Sequence, residues 1–256
     1  MNKLFLDIGN TRVKRAVIID GDYEVLAAVG LNNFLTEDGF DCLYKGKRPD
    51  AVYMTSVVSH EHLEQIKSLI HEHCQLFPVQ LTSQRNSCGL SSGYKDFHKL
   101  GDDRWMAMQG AFGFYKDPII VISAGTAMTI DAIMDAKHLG GFIVPGLESL
   151  RASLANDTGA LPLIDGTRAL EEESSDPTLL PSNTESAILG GTLYMTASYI
   201  NTFITDLNEQ LQTQFRVIVT GGNASQLCPL IDSNCEHIPD LVLQGMVNIE
   251  ESVKKN

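Results

Sequence analysis

LDIGNT, residues 6–11, closes the first strand-like run of the chain and raises the question that decides the fold. An aspartate follows the apolar residues 4–6, and after it come Gly9, two small polar residues and cations at positions 12, 14 and 15. One interpretation is an ordinary hairpin turn, in which Gly and Asn are common. The other is a polyphosphate cradle, in which backbone N–H groups and a lysine face phosphate oxygens and an aspartate faces a metal ion.

The same pattern recurs in the second half of the chain. In each half a strand rich in apolar residues leads to a Gly-containing turn, a second strand, a hairpin turn and a third strand. When Gly9 is aligned with Gly125, the hairpin turns begin 11 and 10 residues later, at Asp20 and Asp135. The repeat predicts an internal duplication. The predicted strands are 3–8, 12–19 and 23–29 in the first half, and 118–122, 128–134 and 139–144 in the second.

The remaining segments alternate between strands and helices. Predicted strands are 51–58, 76–81 and 216–220; predicted helices are 59 to about 74, 102 to about 115 with one apolar side, and 184 to about 212; residues 149–183 are predicted to be rich in loops. This order indicates an α/β protein of two domains, residues 1–116 and 117–256, with a ligand-binding cleft between them.

Composition limits the classes of protein that remain. The chain has 256 residues, of which 43% are hydrophobic, as in globular proteins. Its net charge of −13 argues against broad surfaces for nucleic acids or anionic membranes. Five scattered cysteines without a C-x-x-C pair indicate reduced thiols, and Asp7 interrupts the apolar N-terminal run that a signal peptide needs. We therefore expect a cytoplasmic protein that binds neither nucleic acid nor membrane.

Two Gly turns at equivalent places in a duplicated α/β chain resemble the actin-like ATPase and sugar-kinase superfamily. The resemblance implies two ribonuclease-H-like domains, with a nucleotide in the interdomain cleft and its phosphates held by the hairpin turns. It also implies that there is no P-loop, and the pattern G-x-x-x-x-G-K-[ST] is absent from the chain.

An ordered set of motifs narrows the resemblance to one family. From Asp7 to the C-terminal helix, the chain is similar to the type III pantothenate kinases, a family that includes proteins once described as Bvg accessory factors. No single motif is decisive, but their order is specific. The motifs are DIGNT (7–11), GYKDFHKLGDDRW (93–105), ISAGTAMTID (122–131), GGFIVPG (140–146), TGALP (158–162), NTESAILGG (183–191) and VTGG (219–222).

The resemblance places the ATP phosphates along the first turn, with Mg²⁺ near Asp7. A transferring phosphoryl group needs donors and positive charge around its oxygens, and a carboxylate can hold a magnesium ion or its waters. Lys14 suits this task, although a solvated lysine on a strand is the alternative. Thr126 matches the second ATP-contacting turn of the family, and Gly221-Gly222 matches its adenosine-side loop. The implied ATP-binding residues of the first turn are Asp7, Ile8, Gly9, Asn10, Thr11, Arg12, Val13 and Lys14.

Gly101-Asp102-Asp103-Arg104 matches the G-x-D-R motif of the family, in which the aspartate before the arginine is the general base. Asp103 would accept the proton of the substrate hydroxyl, and the guanidinium of Arg104 suits paired polar contacts with the substrate. The alternative is that Asp102 and Asp103 only cap the helix that follows.

The resemblance also implies two further contacts with pantothenate. Tyr94 matches the substrate-contacting tyrosine of the family, and Thr184 matches a threonine that the family brings from a neighbouring subunit. We therefore expect a homodimer with shared active sites. The implied substrate-binding residues are Tyr94, Gly101, Asp102, Asp103, Arg104 and Thr184.

The chain departs from the family pattern at Ser123. Related kinases usually have an aspartate at this position, and that carboxylate helps to hold an activating K⁺ or NH₄⁺ ion. A serine hydroxyl can coordinate a hard cation but brings no negative charge. We expect activity that depends little on monovalent cations, or that needs unusually high concentrations of them.

The resemblance implies an enzyme that phosphorylates pantothenate with ATP to form 4′-phosphopantothenate, the first step of coenzyme A biosynthesis. Residue chemistry by itself supports only an ATP-dependent phosphotransferase of this superfamily. Two alternatives stay open: a kinase for another small hydroxylated metabolite, and a non-catalytic accessory protein on the same fold. An accessory protein that had lost activity should have lost at least one functional residue. This chain keeps all six of them: Asp7, Lys14, Asp103, Arg104, Thr126 and Thr184.

Overall fold

The computed structural model describes residues 1–36, 47–116, 118–158, 161–162, 164 and 180–254. Every helix in these ranges is too short or too polar to cross a membrane. The strands of the described residues are β1 (Lys3–Ile8), β2 (Arg12–Ile19), β3 (Asp22–Gly30), β4 (Ala51–Ser56), β5 (Val79–Gln80), β6 (Asn86–Ser87), β7 (Leu90–Ser91), β8 (Ile119–Ala124), β9 (Ala127–Met134), β10 (Lys137–Pro145), β11 (Arg216–Thr220) and β12 (Cys235–His237). The α-helices are α1 (Leu31–Phe34), α2 (His60–Cys74), α3 (Asp102–Phe114), α4 (Leu147–Thr158), α5 (Thr184–Leu211), α6 (Ala224–Leu227) and α7 (Leu241–Lys254).

Contacts divide the chain into two compact units. Unit 1 comprises residues 1–119, 131–140 and 240–256, and unit 2 comprises residues 120–130 and 141–239. Strands β9 and β10 change unit along their length, and α7 returns the chain to unit 1. The assignment of residues 1–116 and 117–256 to two domains stays a prediction.

The first sheet has five strands in the order β3-β2-β1-β4-β5. Its central strand β1 runs antiparallel to β2 and parallel to β4. Every side chain of β1 is buried except that of Asp7, which is partly exposed. Leu4, Leu6 and Ile8 share one buried cluster with Ile66 of α2. The core therefore fixes β1 and leaves Asp7 as the side chain of this strand that can reach a ligand.

The second sheet has seven strands in the order β12-β11-β8-β9-β10-β7-β6. Strands β1, β2 and β3 have 6, 8 and 9 residues, and strands β8, β9 and β10 have the same three lengths. After the first strand of each set, a glycine amide donates a backbone hydrogen bond across the turn. Gly9 donates to Arg12 at 3.2 Å, and Gly125 donates to Ala127 at 3.3 Å. The predicted repeat of strands and turns is confirmed.

Both predicted hairpins have two consecutive residues in the left-handed region. Asp20 and Gly21 have φ values of 54° and 98°, and Asp135 and Ala136 have φ values of 52° and 57°. Such turns match the right-handed twist of the two strands that they join. Ala136 stands where the first hairpin has glycine, so the second hairpin carries a conformational cost that glycine would avoid.

Helix α3 is buried on nearly all sides, which differs from the prediction of one apolar side. All residues from 104 to 112 are buried, because α7 packs along α3. A Cβ atom added to Gly245 of α7 would lie 1.8 Å from the carbonyl oxygen of Met106. This glycine therefore lets the two helices approach closely, and their contact holds α3 rigidly in unit 1.

Two predictions of local structure were wrong. Residues 149–158 were expected in a loop but belong to α4, in which Leu147, Leu150 and Leu154 recur at helical spacing. Of the rest of that expected loop, residues 159, 160, 163 and 165–179 lie outside the described residues. The strand predicted at 76–81 is reduced to β5, since Pro78 has no N–H group to donate to a sheet.

Candidate active site

Three side chains form a row across β2, β1 and β4 in unit 1. Lys14 is paired with Asp7 in the antiparallel register, and Thr55 is paired with Asp7 in the parallel register. Residues paired in this way point to the same face of a sheet. The Lys14 Nζ atom lies 3.9 Å from Oδ2 of Asp7. The structure therefore brings together the lysine predicted to face phosphate and the aspartate predicted to lie near a metal ion.

Thr55 is a member of this row that the sequence did not reveal, because only the strand register places it beside Asp7. Its hydroxyl is fully buried and has no hydrogen-bond partner among the described residues. A buried polar group of this kind calls for a ligand or an ordered water. Mg²⁺ usually keeps several waters and takes one or two protein carboxylates, so Asp7 with Thr55 fits such an ion.

Substrate oxygens and water would have to complete the coordination of a metal ion at Asp7. Within the described ranges, no group of three His, Cys, Asp or Glu side chains is placed to hold a metal. In phosphoryl-transfer enzymes, phosphates supply part of the ligands of Mg²⁺.

The turn after β1 presents its main chain to the surroundings. Residues 10–12 are exposed, and Gly9 is half-buried. Ile8 and Val13 are fully buried in the core, so only their main-chain groups can reach a ligand. Successive backbone N–H groups in an exposed turn can bind an anion. The geometry is thus compatible with the predicted phosphate contacts of residues 8–13, provided that those of Ile8 and Val13 are made by the backbone.

Asp103 lies in the first turn of α3, and Gly101 is the N-cap residue. The Oδ1 atom of Asp103 accepts a hydrogen bond from the Arg104 amide at 2.8 Å. A Cβ atom added to Gly101 would lie 2.7 Å from that oxygen, so glycine leaves room for the carboxylate at the start of the helix. Asp102 instead accepts a hydrogen bond from the Ser83 amide at 2.7 Å. Asp102 therefore ties the preceding segment to α3, whereas Asp103 bonds only to its neighbouring amide among the described residues.

Burial governs the acidity of both carboxylates. It raises the pKa of Asp7 from 3.8 to about 6, although Lys14 lowers this pKa and the charge of Asp103 raises it further. Burial also raises the pKa of Asp103. The hydrogen bond from the Arg104 amide and the charge of Arg104 lower this pKa, and the charges of Asp131 and Asp102 raise it. The charge of Asp103 acts on the Asp7 carboxyl, so the two side chains lie within electrostatic range of each other in unit 1. A carboxylate with a raised pKa is a stronger proton acceptor than an ordinary one.

Arg104 is held by a partner outside its own motif. Its Nε and Nη2 atoms donate to the two carboxylate oxygens of Asp131 at 3.0 and 2.6 Å. Its Nη1 atom donates to the hydroxyl of Tyr94 at 2.9 Å. His138 completes the cluster, with Nε2 lying 2.9 Å from Oδ1 of Asp131. The two predicted substrate residues Tyr94 and Arg104 are therefore in contact, and Asp131 and His138 are additions that sequence spacing could not identify.

The second turn and the Gly221–Asn223 loop are neighbours in unit 2. The Asn223 amide donates to the Ala124 carbonyl at 3.0 Å. The Thr126 carbonyl accepts a hydrogen bond from the Ser149 hydroxyl at 2.7 Å. Ser123 precedes this turn in β8 and is partly buried. The structure thus brings together the segments that were predicted to face the phosphates and the adenosine of ATP.

Thr184 is the first residue of α5 in unit 2 and is exposed. Asn183 caps this helix by accepting a hydrogen bond from the Ser186 amide at 2.9 Å. Thr184 lines a cavity of about 520 Å³ together with Ile188 and Thr192 of the same helix and residues of α4. Its predicted role in the active site of a neighbouring subunit stays a prediction.

Solved structures of low sequence identity share the fold. A Baf family protein from Campylobacter jejuni has a TM-score of 0.61 at 23% identity, covering 99% of this chain and 100% of that one. A ROK family glucokinase from Streptomyces griseus, solved with glucose and AMPPNP, has a TM-score of 0.55 at 13% identity, with 99% and 100% covered. The predicted α/β class is confirmed, and the fold is that of sugar-kinase and actin-like structures with two mixed sheets.

Sequence comparison supplies the family. Residues 3–206 match the family model described as type III pantothenate kinase. The type III pantothenate kinase of Hydrogenovibrio crunogenus is 36% identical over 251 residues, covering 98% of this chain and 99% of the relative. Together with the placement of Asp7, Lys14, Asp103 and Arg104 in one unit, these matches leave a single conclusion. The chain belongs to the type III pantothenate kinase family.

Proposed function

We propose that this chain phosphorylates pantothenate with ATP, forming 4′-phosphopantothenate and ADP as the first step of coenzyme A biosynthesis. The environment of the Asp103 carboxylate is the observation that carries the proposal. This partly buried carboxylate has a raised pKa, begins a rigidly packed helix and influences Asp7 electrostatically. The substrates follow from the family, whose matched model and relative are named as pantothenate kinases.

In the proposed reaction, the primary hydroxyl of pantothenate attacks the γ-phosphorus of ATP. A new O–P bond forms, the bond from the γ-phosphorus to the bridging oxygen breaks, and ADP leaves. Asp103 accepts the hydroxyl proton, and the rise of its pKa by burial favours that transfer. Phosphoryl transfer depends mainly on positioning and charge stabilisation, so the surrounding donors supply the rest of the rate.

We assign the ATP phosphates to the first turn and to Thr126. The exposed residues 10–12 of the turn and the ammonium group of Lys14 supply the donors that support this assignment. Asp7 would hold Mg²⁺, with the Thr55 hydroxyl available to one of its waters. When bound, that ion neutralises phosphate charge.

At the monovalent-cation position of the family, this chain offers the hydroxyl of Ser123 and no carboxylate. We propose a dependence on K⁺ or NH₄⁺ that is weak or shifted to high concentration, because a neutral oxygen attracts a cation less than a carboxylate does.

Pantothenate would contact residues 94 and 101–104 of one chain and Thr184 of a second copy. Apolar side chains that are more than half exposed in unit 2 support this homodimer: Phe142 on β10, and Tyr194 and Met195 on α5. The rings of Phe142 and Phe203 meet edge to face at 5.5 Å, which sets β10 beside α5. Clustered exposed apolar groups mark interaction surfaces. Light scattering should give twice the chain mass of 28.0 kDa, and Tyr194→Lys should give the single-chain mass.

We place this activity in the cytoplasm. Cys74, Cys88, Cys228 and Cys235 are free thiols in the described part of the chain, which supports a reducing compartment.

ADP release by the purified protein with ATP, Mg²⁺ and pantothenate tests the proposal. We expect turnover with pantothenate, identified by the mass of its phosphorylated product, and little turnover with sugars or other hydroxylated metabolites. Preference for another metabolite would support a different kinase of the same fold. ATP binding without any turnover would support the accessory-protein alternative.

A further inference from the structure

Arg104 and Asp131 form an ion pair that is almost completely removed from solvent. Their side chains are 3% and 2% exposed, and the guanidinium uses both Nε and Nη2 to grip the carboxylate. Burying two charges is costly, and apolar residues of similar volume often stabilise a fold equally well. We therefore ask what the pair holds in position. The other hydrogen bonds of Arg104 and Asp131, which lead to Tyr94 and His138, supply the answer.

The remaining face of Asp131 is occupied by His138. The ring of His138 is fully buried, its Nε2 lies 2.9 Å from Oδ1 of Asp131, and it stacks on the ring of Tyr94 with centroids 5.7 Å apart. A Cβ atom added to Gly93 would lie 2.0 Å from the His138 carbonyl oxygen. Glycine at this position lets the Tyr94 segment lie directly against β10. The ring of Tyr94 is thus fixed from one side by packing.

The backbone of Tyr94 is fixed from another side by Arg85. Its Nη1 atom donates to the Tyr94 carbonyl at 3.2 Å, and its Nη2 atom donates to the Lys95 carbonyl at 2.9 Å. With backbone, ring and hydroxyl each contacted by a different group, the Tyr94 side chain has little freedom to turn.

The hydrogen bond between Arg104 and Tyr94 has only one possible direction. A guanidinium group has donors and no acceptor, so the Tyr94 oxygen must accept the proton from Nη1. The proton of the Tyr94 hydroxyl then has to be given to a different group. Because Asp131 locks the guanidinium by two bonds, Arg104 cannot turn away and release the tyrosine from this arrangement.

We propose that Asp131, supported by His138, is a positioning residue that makes Tyr94 an obligate hydrogen-bond donor to the substrate. Resting on the proposed function, this inference specifies which substrate group Tyr94 recognises: an oxygen acceptor, and never a donor such as an amine. Pantothenate offers its carboxylate, its amide carbonyl and its two hydroxyl oxygens as acceptors, and the carboxylate is the strongest of them. Arg104 acts mainly through Tyr94, since two of its three nitrogens are engaged by Asp131.

A double-mutant cycle tests the link between Asp131 and Tyr94. Tyr94→Phe, Asp131→Asn and the double variant are compared with the parent for kcat/KM with pantothenate and for KM with ATP. Loss of a hydrogen bond should cost about threefold to tenfold for a neutral acceptor, and about 10–100-fold for a carboxylate. We expect each single variant to lose kcat/KM in this range, the double variant to lose about as much as the worse single variant, and KM for ATP to stay within about twofold.

Additive losses in the two single variants would overturn the proposal, because Asp131 would then act independently of Tyr94. If Asp131→Asn fails to fold, Asp131→Glu, which keeps the charge but moves the carboxylate relative to Arg104, takes its place in the same cycle, with additivity again as the contrary result. A parent protein without turnover would instead refute the proposed function itself, and the inference with it.

Comparison of pantothenate with pantothenol, in which a hydroxymethyl group replaces the carboxylate, identifies the acceptor. A Tyr94→Phe penalty that shrinks to a few-fold with pantothenol supports the proposal with the carboxylate as acceptor. An equal penalty with both compounds supports it with an acceptor that both share, the amide carbonyl or a hydroxyl oxygen. The absence of a penalty with either compound would overturn it.

Discussion

Asp7→Asn should stabilise the metal-free protein while it abolishes activity. Burial raises the pKa of Asp7 from 3.8 to about 6, a difference of about 2 units. One unit corresponds to about 1.4 kcal/mol, so the charged carboxylate costs the folded state at most about 3 kcal/mol at neutral pH. The side chain is 13% exposed, and solvent reduces this cost. We expect the free energy of unfolding to rise by about 1–3 kcal/mol in the asparagine variant.

The same difference in pKa determines how the free energy of unfolding depends on pH. Because the pKa of Asp7 is higher in the folded state, the folded protein binds this proton more tightly than the unfolded chain between pH 3.8 and about 6. The stability that Asp7 contributes is fully present below that window and is lost as the pH rises through about 6. Asp7→Asn should remove the contribution of Asp7 to the slope of unfolding free energy against pH. The contribution of Asp103 should stay, because burial raises the pKa of that residue as well.

Thermal melting in EDTA from about pH 4.5 to 7.5 measures the effect. At about 2–4 °C per kcal/mol for a chain of this size, Asp7→Asn should raise the melting temperature by about 2–12 °C at the upper pH and by little at the lower. Asp22→Asn is the matched control, because Asp22 is exposed at the start of β3, and it should change nothing. A variant that melts at or below the parent temperature at pH 7.5 would refute the reasoning, since contacts of the charged carboxylate would then outweigh its burial.

Three further predictions concern the turns, the cation and the dimer. Ala136→Gly should stabilise the second hairpin by about 0.5–1 kcal/mol, since φ is 57° there, and Gly21→Ala should destabilise the first by a similar amount; melting temperatures that move together would contradict this. Ser123→Asp should strengthen activation by K⁺ at fixed ionic strength, and strong saturation at low K⁺ in the parent would show that other oxygens hold the ion. Asp103→Asn and Thr184→Arg, each inactive alone, should regain part of the activity when co-expressed, because one site of the mixed dimer has neither change; inactive heterodimers of verified composition would count against shared sites.

The repeated strands and turns could be predicted because their signals are local. Alternating apolar residues and a Gly-containing turn are patterns of residues that are neighbours along the chain. The second hairpin was predicted correctly although it has Ala136 where the first hairpin has Gly21. The ends of α2 and α5 were predicted to within one residue for the same reason. Caps such as the Ser59 and Asn183 side chains mark where these helices begin.

Helix α4 was missed although its leucines recur at helical spacing. Ser149, Ser153 and Asn156 have low helix propensity, and they outweighed the apolar pattern in the prediction. In the fold, α4 packs against α5, and tertiary contact overrides weak propensity. The strands β6 and β7 have two residues each and carry no periodic signal to detect.

The candidate site was predictable only in part, because its members meet through the fold. Asp103 and Arg104 share one motif on helix α3, but Asp131, the partner of Arg104, is 27 residues away on strand β9. Thr55 lies beside Asp7 because β4 pairs with β1 in parallel, a register that no local pattern reports. Residues recruited by sheet register or by a long-range ion pair need the three-dimensional structure to be found.

The kcat of Asp103→Asn with ATP, Mg²⁺ and pantothenate tests the central claim most directly. If Asp103 is the general base, kcat should fall about 10²–10⁴-fold while ATP and pantothenate binding, measured by calorimetry, stays near the parent values. Asp22→Asn should keep the parent kcat as the matched change of one exposed carboxylate. A kcat of Asp103→Asn within about threefold of the parent would contradict the account and leave Asp103 with only its hydrogen bond to the Arg104 amide.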